Sequence, residues 1–310
     1  MSSELVFILS EVRSGSTLLA QLLGAHSGIT SVGEMQWLRA YDLDDRRLYN
    51  PPHDLLCSCG QTFADCSFWQ AVVRELPTPV REMQMMPKFF GWMGVGSGDQ
   101  PVHHRAVRRS LEVFPTLYRL RSVQRLLGGP QVGQDNLAVL DTVQKLTKAR
   151  AVVDTSKVIF RFRSIYEECR PRIRVIELYR DYRAVAHSQL KRGIPVEDSA
   201  RTWALKVRQI KAMTADLPPS QLMTLKYEDL CREPEVELAG VCDFLGLEFE
   251  QTMLARATED IHDLGGSPSK FQTDRRAIVL DEEYLNKLTD EHKKRMGELV
   301  GAEADMCGYA

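Results

Sequence analysis

Apolar residues gather along this chain into five short runs separated by longer mixed segments. Leu5-Val-Phe-Ile-Leu9 is unbroken, the pattern of a strand covered on both faces in a parallel sheet. Residues 30–32, 151–153, 173–179 and 222–227 supply four more strand candidates. Past the first run comes a turn, and then Leu18, Leu19, Leu22 and Leu23 share one helical face, with Ser14 or Ser16 available as the cap. The last three strand candidates are likewise followed by helical spacing. This alternation predicts an α/β fold with a mostly parallel sheet, right-handed crossovers and helices on both faces.

Between residues 37 and 149 the pattern changes to helical segments and loops broken by Pro51-Pro52, the Gly-rich stretch 91–98 and Gly128-Gly129-Pro130. It reads as an insertion over the sheet, so residues 1–310 are expected to form one domain. The charged tail, 281–299, predicts a surface helix.

With 44% hydrophobic residues the chain has ample core. A net charge of −2 and a pI near 6.4 exclude wholesale nucleic-acid binding, so any anion site must be local. No stretch approaches 18 apolar residues and the N-terminus carries no basic residue, so neither a membrane span nor a secretory leader is expected. Seven sparse cysteines fit reduced thiols and a cytoplasmic setting.

Glu11-Val12-Arg13-Ser14-Gly15-Ser16-Thr17 falls where the first strand should give way to a helix. Helix-start amides attract anions, Gly15 allows close approach of a phosphate, and the hydroxyls of Ser14, Ser16 and Thr17 add donors. The Walker pattern G-x-x-x-x-G-K-[ST] is missing, which disfavours a Mg-nucleotide kinase. Taken singly, a Ser/Gly turn is as often a plain helix cap. A second cationic segment, Arg180-Asp-Tyr-Arg183, follows the strand candidate 173–179, with Ser188 and Arg192 one helical turn apart further on. Arginine's planar fork suits an oxyanion.

These motifs resemble those of the sulfotransferases that use 3′-phosphoadenosine 5′-phosphosulfate (PAPS), especially the tyrosylprotein and carbohydrate branches. Arg13-Ser-Gly-Ser-Thr17 is similar to their 5′-phosphosulfate loop, and Arg180 to Ser188, extended to Arg192, to their 3′-phosphate motif. Leu225-Lys-Tyr227-Glu-Asp-Leu230 and Asp243-Phe-Leu-Gly246 resemble two further segments, and Gly265-Gly-Ser267-Pro-Ser269-Lys270 the loop that covers the nucleotide. The resemblance implies a P-loop-like three-layer fold, PAPS as co-substrate and a hydroxylated acceptor. It leaves the segment 37–149 unmatched, so the insertion is expected to shape the acceptor site.

By the same resemblance, Arg13 would face the leaving phosphate, Lys157 and Ser267 the sulfuryl group, and Glu34 would be the base. Ser14, Gly15, Ser16, Thr17, Arg180, Ser188, Arg192, Tyr227, Ser269 and Lys270 would bind the co-substrate. Fixed cations make a metal unnecessary for the transfer. His103 and His104 are rival bases in an Arg-rich stretch, while His26 suits a capping or packing role. Tyr227 and Trp203 fit a core role equally well. His53, Cys57, Cys59 and Cys66 could bind zinc, but C-x-C-x₆-C is not a standard finger and packed free thiols are favoured. The apolar stretch Met83, Met85, Met86, Phe89, Phe90, Trp92, Met93 would line an acceptor pocket or simply pack on the sheet. Two other readings stay open: a P-loop kinase-like phosphotransferase using Mg-ATP, and a non-catalytic nucleotide-fold module.

Overall fold

The computed structural model describes residues 4–43, 56–90, 102–255, 261–271 and 277–309. Five strands, β1 (Glu4–Leu9), β2 (Ile29–Gly33), β3 (Ala151–Asp154), β4 (Ile173–Tyr179) and β5 (Leu222–Lys226), form one sheet in the order β2-β3-β1-β4-β5. Every pairing is parallel, and Leu5 sits opposite Val152 on one side and Ile173 on the other.

The unbroken run in β1 is explained by two cores. Leu5, Phe7 and Leu9 point into the larger one, and Val6 and Ile8 into the smaller, the period-two alternation of a strand with no solvent face. Leu18, Leu19, Leu22 and Leu23 of helix Ser16–Leu23 join Leu238 and Val241 of helix Pro234–Leu245 on the smaller side. The opposite face is covered by helices Ile159–Cys169, Tyr182–Leu190 and Val196–Thr214. Each fully buried Leu or Phe adds about 1.5–3 kcal/mol by leaving water. The result is the α/β fold that the pattern predicts, in the three layers that the resemblance implies.

The segment between β2 and β3 packs into the larger core, where Trp69, Tyr118 and Val139 share a cluster with Phe7 and Phe162. Met83, Met85 and Phe89 are buried there, and the Phe89 ring lies 5.7 Å from Tyr118 and 5.6 Å from Phe160. This half of the apolar stretch is therefore packing; Trp92 and Met93 lie outside the described residues. The tail is two helices rather than one, Tyr284–Lys287 and Asp290–Val300, preceded by Asp281 in an irregular segment. Among the described residues no helix is long and apolar enough to cross a membrane.

Strand order reverses across β1, whose neighbours are β3 and β4. In such sheets the crevice beyond the strands' carboxyl ends is where ligands bind. Here each of the five strands delivers one residue to it just past its end: Arg13, Glu34, Lys157, Arg180 and Tyr227.

Candidate active site

These five side chains line a single cavity of about 380 Å³. The loop after β1 turns through two left-handed residues, Arg13 (φ 67°) and Gly15 (φ 89°). Gly15 is required twice over, because a β-carbon there would lie 2.3 Å from Tyr227 Cδ2. Gly15 is also the helix N-cap, with no side-chain cap bond. Neither serine caps the helix as expected: Ser16 Oγ accepts from Lys157 Nζ at 2.7 Å, and the buried Ser14 Oγ has no hydrogen-bond partner among the described residues. Gly15, Ser16 and Thr17 thus open the helix start onto the cavity.

Arg13 links three parts of the chain. Its Nε donates to Ser188 Oγ at 2.8 Å, and its Nη1 to Ser267 Oγ at 2.9 Å. Arg180 Nη1 in turn donates to the Arg13 carbonyl at 3.1 Å, and its guanidinium carbon stands 4.4 Å above the Tyr227 ring. Burial first, then the charges of Arg192 and Arg180, hold the Arg13 guanidinium below the usual arginine range. An anion in the cavity would relieve that repulsion. Arg192 lines the cavity from the turn past the end of helix Tyr182–Leu190, so it and Ser188 do not share one helix as the spacing predicts.

On the other side, Lys157 lies in the turn before helix Ile159–Cys169, with Nζ 3.5 Å from Glu34 Oε1. Glu34 Oε2 accepts from Trp37 Nε1 at 2.9 Å and from Gln36 Nε2 at 3.4 Å, while Gln36 Oε1 accepts the Lys157 amide at 3.1 Å. The carboxylate is therefore fixed in direction beside a cation.

The roof is the segment 263–271. Leu264 pairs alongside Gly33, whose β-carbon, were there one, would meet the Leu264 carbonyl oxygen at 2.4 Å. The Ser267 amide donates to Thr17 Oγ1 at 3.1 Å, and Ser269 also reaches the cavity. Lys270 does not: its ammonium is buried and donates to the carbonyls of Leu56 (3.0 Å) and Asp263 (3.4 Å), away from the lining.

Tyr227 opens a helix rather than closing a strand and touches the cavity, whereas Trp203 is core, donating through Nε1 to the Arg180 carbonyl at 3.0 Å. His26 is a packing residue, its Nδ1 accepting from the Gly28 amide at 2.8 Å and its Nε2 2.9 Å from the Glu248 carbonyl. His103 and His104 fall in helix Val102–Val113, but their side chains lie outside the described residues. Gln36, Trp37 and Asp281 belong to the site without any motif announcing them; Asp281 Oδ2 accepts from Arg180 Nη2 at 3.2 Å.

A parallel sheet in this order, with an arginine- and lysine-lined crevice at its switch point, defines a P-loop-like fold with a site suited to an anion. The chain belongs to the sulfotransferase family, whose model matches residues 5–251. It is 28% identical over 140 residues to a putative protein-tyrosine sulfotransferase of Caenorhabditis briggsae, covering 39% of this chain and 50% of that protein. A protein of the same name from Caenorhabditis elegans is 32% identical over 91 residues, covering 27% of this chain and 35% of its own. The matches thus span half or less of these curated relatives. Among solved structures, the sulfotransferase domain of the Synechococcus PCC 7002 olefin synthase superposes with a TM-score of 0.57 at 19% identity, covering 99% of this chain and 95% of that one. The sulfotransferase domain from the curacin biosynthetic pathway gives 0.53 at 20%, covering 99% and 98%. These two likenesses carry the fold.

Proposed function

We propose that the protein transfers a sulfuryl group from PAPS to a hydroxyl of a carbohydrate, lipid or small natural product. The observation that carries this reading is Arg13, which lines the cationic cavity and whose guanidinium touches both Ser188 and Ser267. Ser188, Arg180 and Arg192 would hold the 3′-phosphate, and the helix amides with Arg13 the 5′-phosphate. In the transfer, the bond from sulfur to the 5′-phosphate oxygen breaks as the acceptor oxygen bonds to sulfur. The acceptor proton passes to Glu34, and 3′,5′-diphosphoadenosine leaves. Arg13 and Lys157 would stabilise the charge growing on the leaving oxygen, and Ser267 a sulfuryl oxygen. Fixed side chains supply all this charge, so the transfer itself needs no metal.

The test is calorimetry with 3′,5′-diphosphoadenosine in buffer without added Mg²⁺, followed by labelled sulfate transfer to a panel of hydroxylated acceptors that includes a tyrosine peptide. Binding that weakens at least about tenfold in Arg180→Ala, the scale of a charge-assisted hydrogen bond, is expected. Silence with that nucleotide, together with Mg-dependent binding of ATP, would overturn the reading in favour of a phosphotransferase. Transfer to the peptide alone would replace the favoured acceptor class with the one for which the curated relatives are named.

A further inference from the structure

Cys57, Cys59 and Cys66 meet His262 at the outer edge of the roof segment. Their three sulfurs and one ring nitrogen all lie within 4.8 Å of one another. Cys66 Sγ is 3.8 Å from Cys57 Sγ, 3.8 Å from Cys59 Sγ and 3.3 Å from His262 Nδ1, and Cys57 Sγ is 3.7 Å from the same nitrogen. A tetrahedral zinc bonded at about 2.3 Å to sulfur and about 2.0 Å to nitrogen sets its ligands about 3.5–3.8 Å apart. Four of the six edges, at 3.3–3.8 Å, cluster around that spacing, and the other two stay within 4.8 Å.

We propose that Cys57, Cys59, Cys66 and His262 form a structural zinc site that ties the segment 56–66 to the roof of the active-site cavity. Three soft sulfurs and one imidazole nitrogen in a closed tetrahedron are a donor set that selects zinc among the common divalent metals. The fourth ligand stands 196 positions beyond Cys66. That distance explains why the local spacing resembles no standard finger; His53, the histidine nearer in sequence, lies outside the described residues.

The surroundings are built for such a centre. Gly60, at φ 83°, turns the chain between Cys59 and the bridge that pairs Leu56 with Thr62, and the Cys57 carbonyl accepts the Gly60 amide at 2.9 Å. The His262 ring is stacked on Phe68 at 4.7 Å and 4°, and its carbonyl accepts from Trp69 Nε1 at 2.8 Å, which fixes the ring's plane and position. On binding, the three thiols release their protons and the imidazole ligates through neutral Nδ1, so the centre carries one net negative charge. The buried Lys270 ammonium bridges the backbone of the same two segments, through Leu56 O and Asp263 O, and supplies the matching positive charge. A disulfide would consume only two of the three thiols, and at 3.8 Å the sulfurs stand well outside the bond length of about 2.05 Å.

From His262 the chain runs directly into Gly265, Gly266 and Ser267, so the ion would act as a positioning centre for Ser267 and not as a group that touches substrate. The experiment is elemental analysis of the protein purified without chelator. One zinc per chain is expected, with cobalt replacing it to give the visible bands of a thiolate-bound tetrahedral ion. His262→Ala, and Cys59→Ser at a partly exposed ligand, should each lower the zinc content at least severalfold and speed proteolytic cutting in the segment 261–271. These readouts do not depend on sulfuryl transfer. Metal-free wild type with no uptake of zinc or cobalt, a mass two hydrogens short that marks a disulfide among these cysteines, or variants that keep full zinc would each overturn the proposal. The wild-type metal content decides the matter even if a variant fails to fold.

Discussion

Arg13 and Ser267 stand 254 positions apart in the chain and meet side chain to side chain at 2.9 Å. The same guanidinium reaches Ser188 through its other face, so one residue joins the loop after β1, the helix after β4 and the roof. Replacing it with lysine keeps the charge and removes the planar fork. Arg13→Lys should weaken 3′,5′-diphosphoadenosine binding by the worth of one charge-assisted hydrogen bond, about 1.5–3 kcal/mol, or a factor of roughly 10 to 150. Calorimetry checks this, with circular dichroism to confirm the fold. Unchanged affinity would place the nucleotide elsewhere.

Glu34 lies 3.5 Å from Lys157 and is aimed by Trp37 and Gln36. As the base it is needed only when the acceptor loses its proton. Glu34→Gln should lower kcat about 10²–10⁴-fold, the usual contribution of general base catalysis, and leave the KM for PAPS nearly unchanged. A rate within twofold of wild type would shift the role to another group.

The fold was legible because its signal is local. Five apolar runs and the leucine stripe from Leu18 to Leu23 each state their own element, and in β1 the run Leu5 to Leu9 has no polar residue to blur the pattern. The anion loop was legible for the same reason, since Arg13 to Thr17 are consecutive. What escaped depends on long-range contact. Asp281 meets Arg180 across 101 positions, and nothing in its own neighbourhood marks it. Lys270 sits in a matching motif, yet the carbonyls of Leu56 and Asp263 draw its ammonium away from the cavity. Arg161 is wholly buried against Asp154 at 2.8 Å, and no motif marks it.

That buried pair leads to a stability prediction. Asp154 ends β3, and its Oδ1 accepts the Ser156 amide at 2.8 Å, so it also shapes the turn that carries Lys157. Asp154→Ala leaves the Arg161 charge buried without its counterion and should cost about 3–5 kcal/mol. Urea denaturation measures the loss. A cost below about 1 kcal/mol, the scale of an exposed pair, would mean that the interior solvates the arginine by other means.

Gly15 makes a different demand on the backbone. Its left-handed φ alone costs an L-residue about 1–3 kcal/mol, and the added carbon would strike the Tyr227 ring. Gly15→Ala should therefore destabilise the fold by at least that much and weaken nucleotide binding, because the loop must shift. Tyr227→Leu in the same chain should restore part of the stability by opening space, while the φ penalty remains. Denaturation of the single and double variants separates the two terms; a double variant no more stable than Gly15→Ala would show that the clash contributes nothing.

Two cysteines outside the proposed zinc centre give a pH prediction. Burial pushes the Cys169 thiol up to about 12 and the Cys242 thiol up to about 11, from an ordinary value of 9.0. Only the thiolate is alkylated, so at pH 8 both should label far more slowly in the folded protein than in urea. The sign for stability follows. Both thiols are neutral in either state below pH 9, whereas between 9 and the folded values only the unfolded chain ionises. These two sites therefore withdraw stability as pH rises through that window, and the melting temperature should fall there. Peptide-resolved mass spectrometry of iodoacetamide labelling against pH provides the check, and folded-state labelling at pH 8 as fast as in urea would refute the upward shift of both thiols.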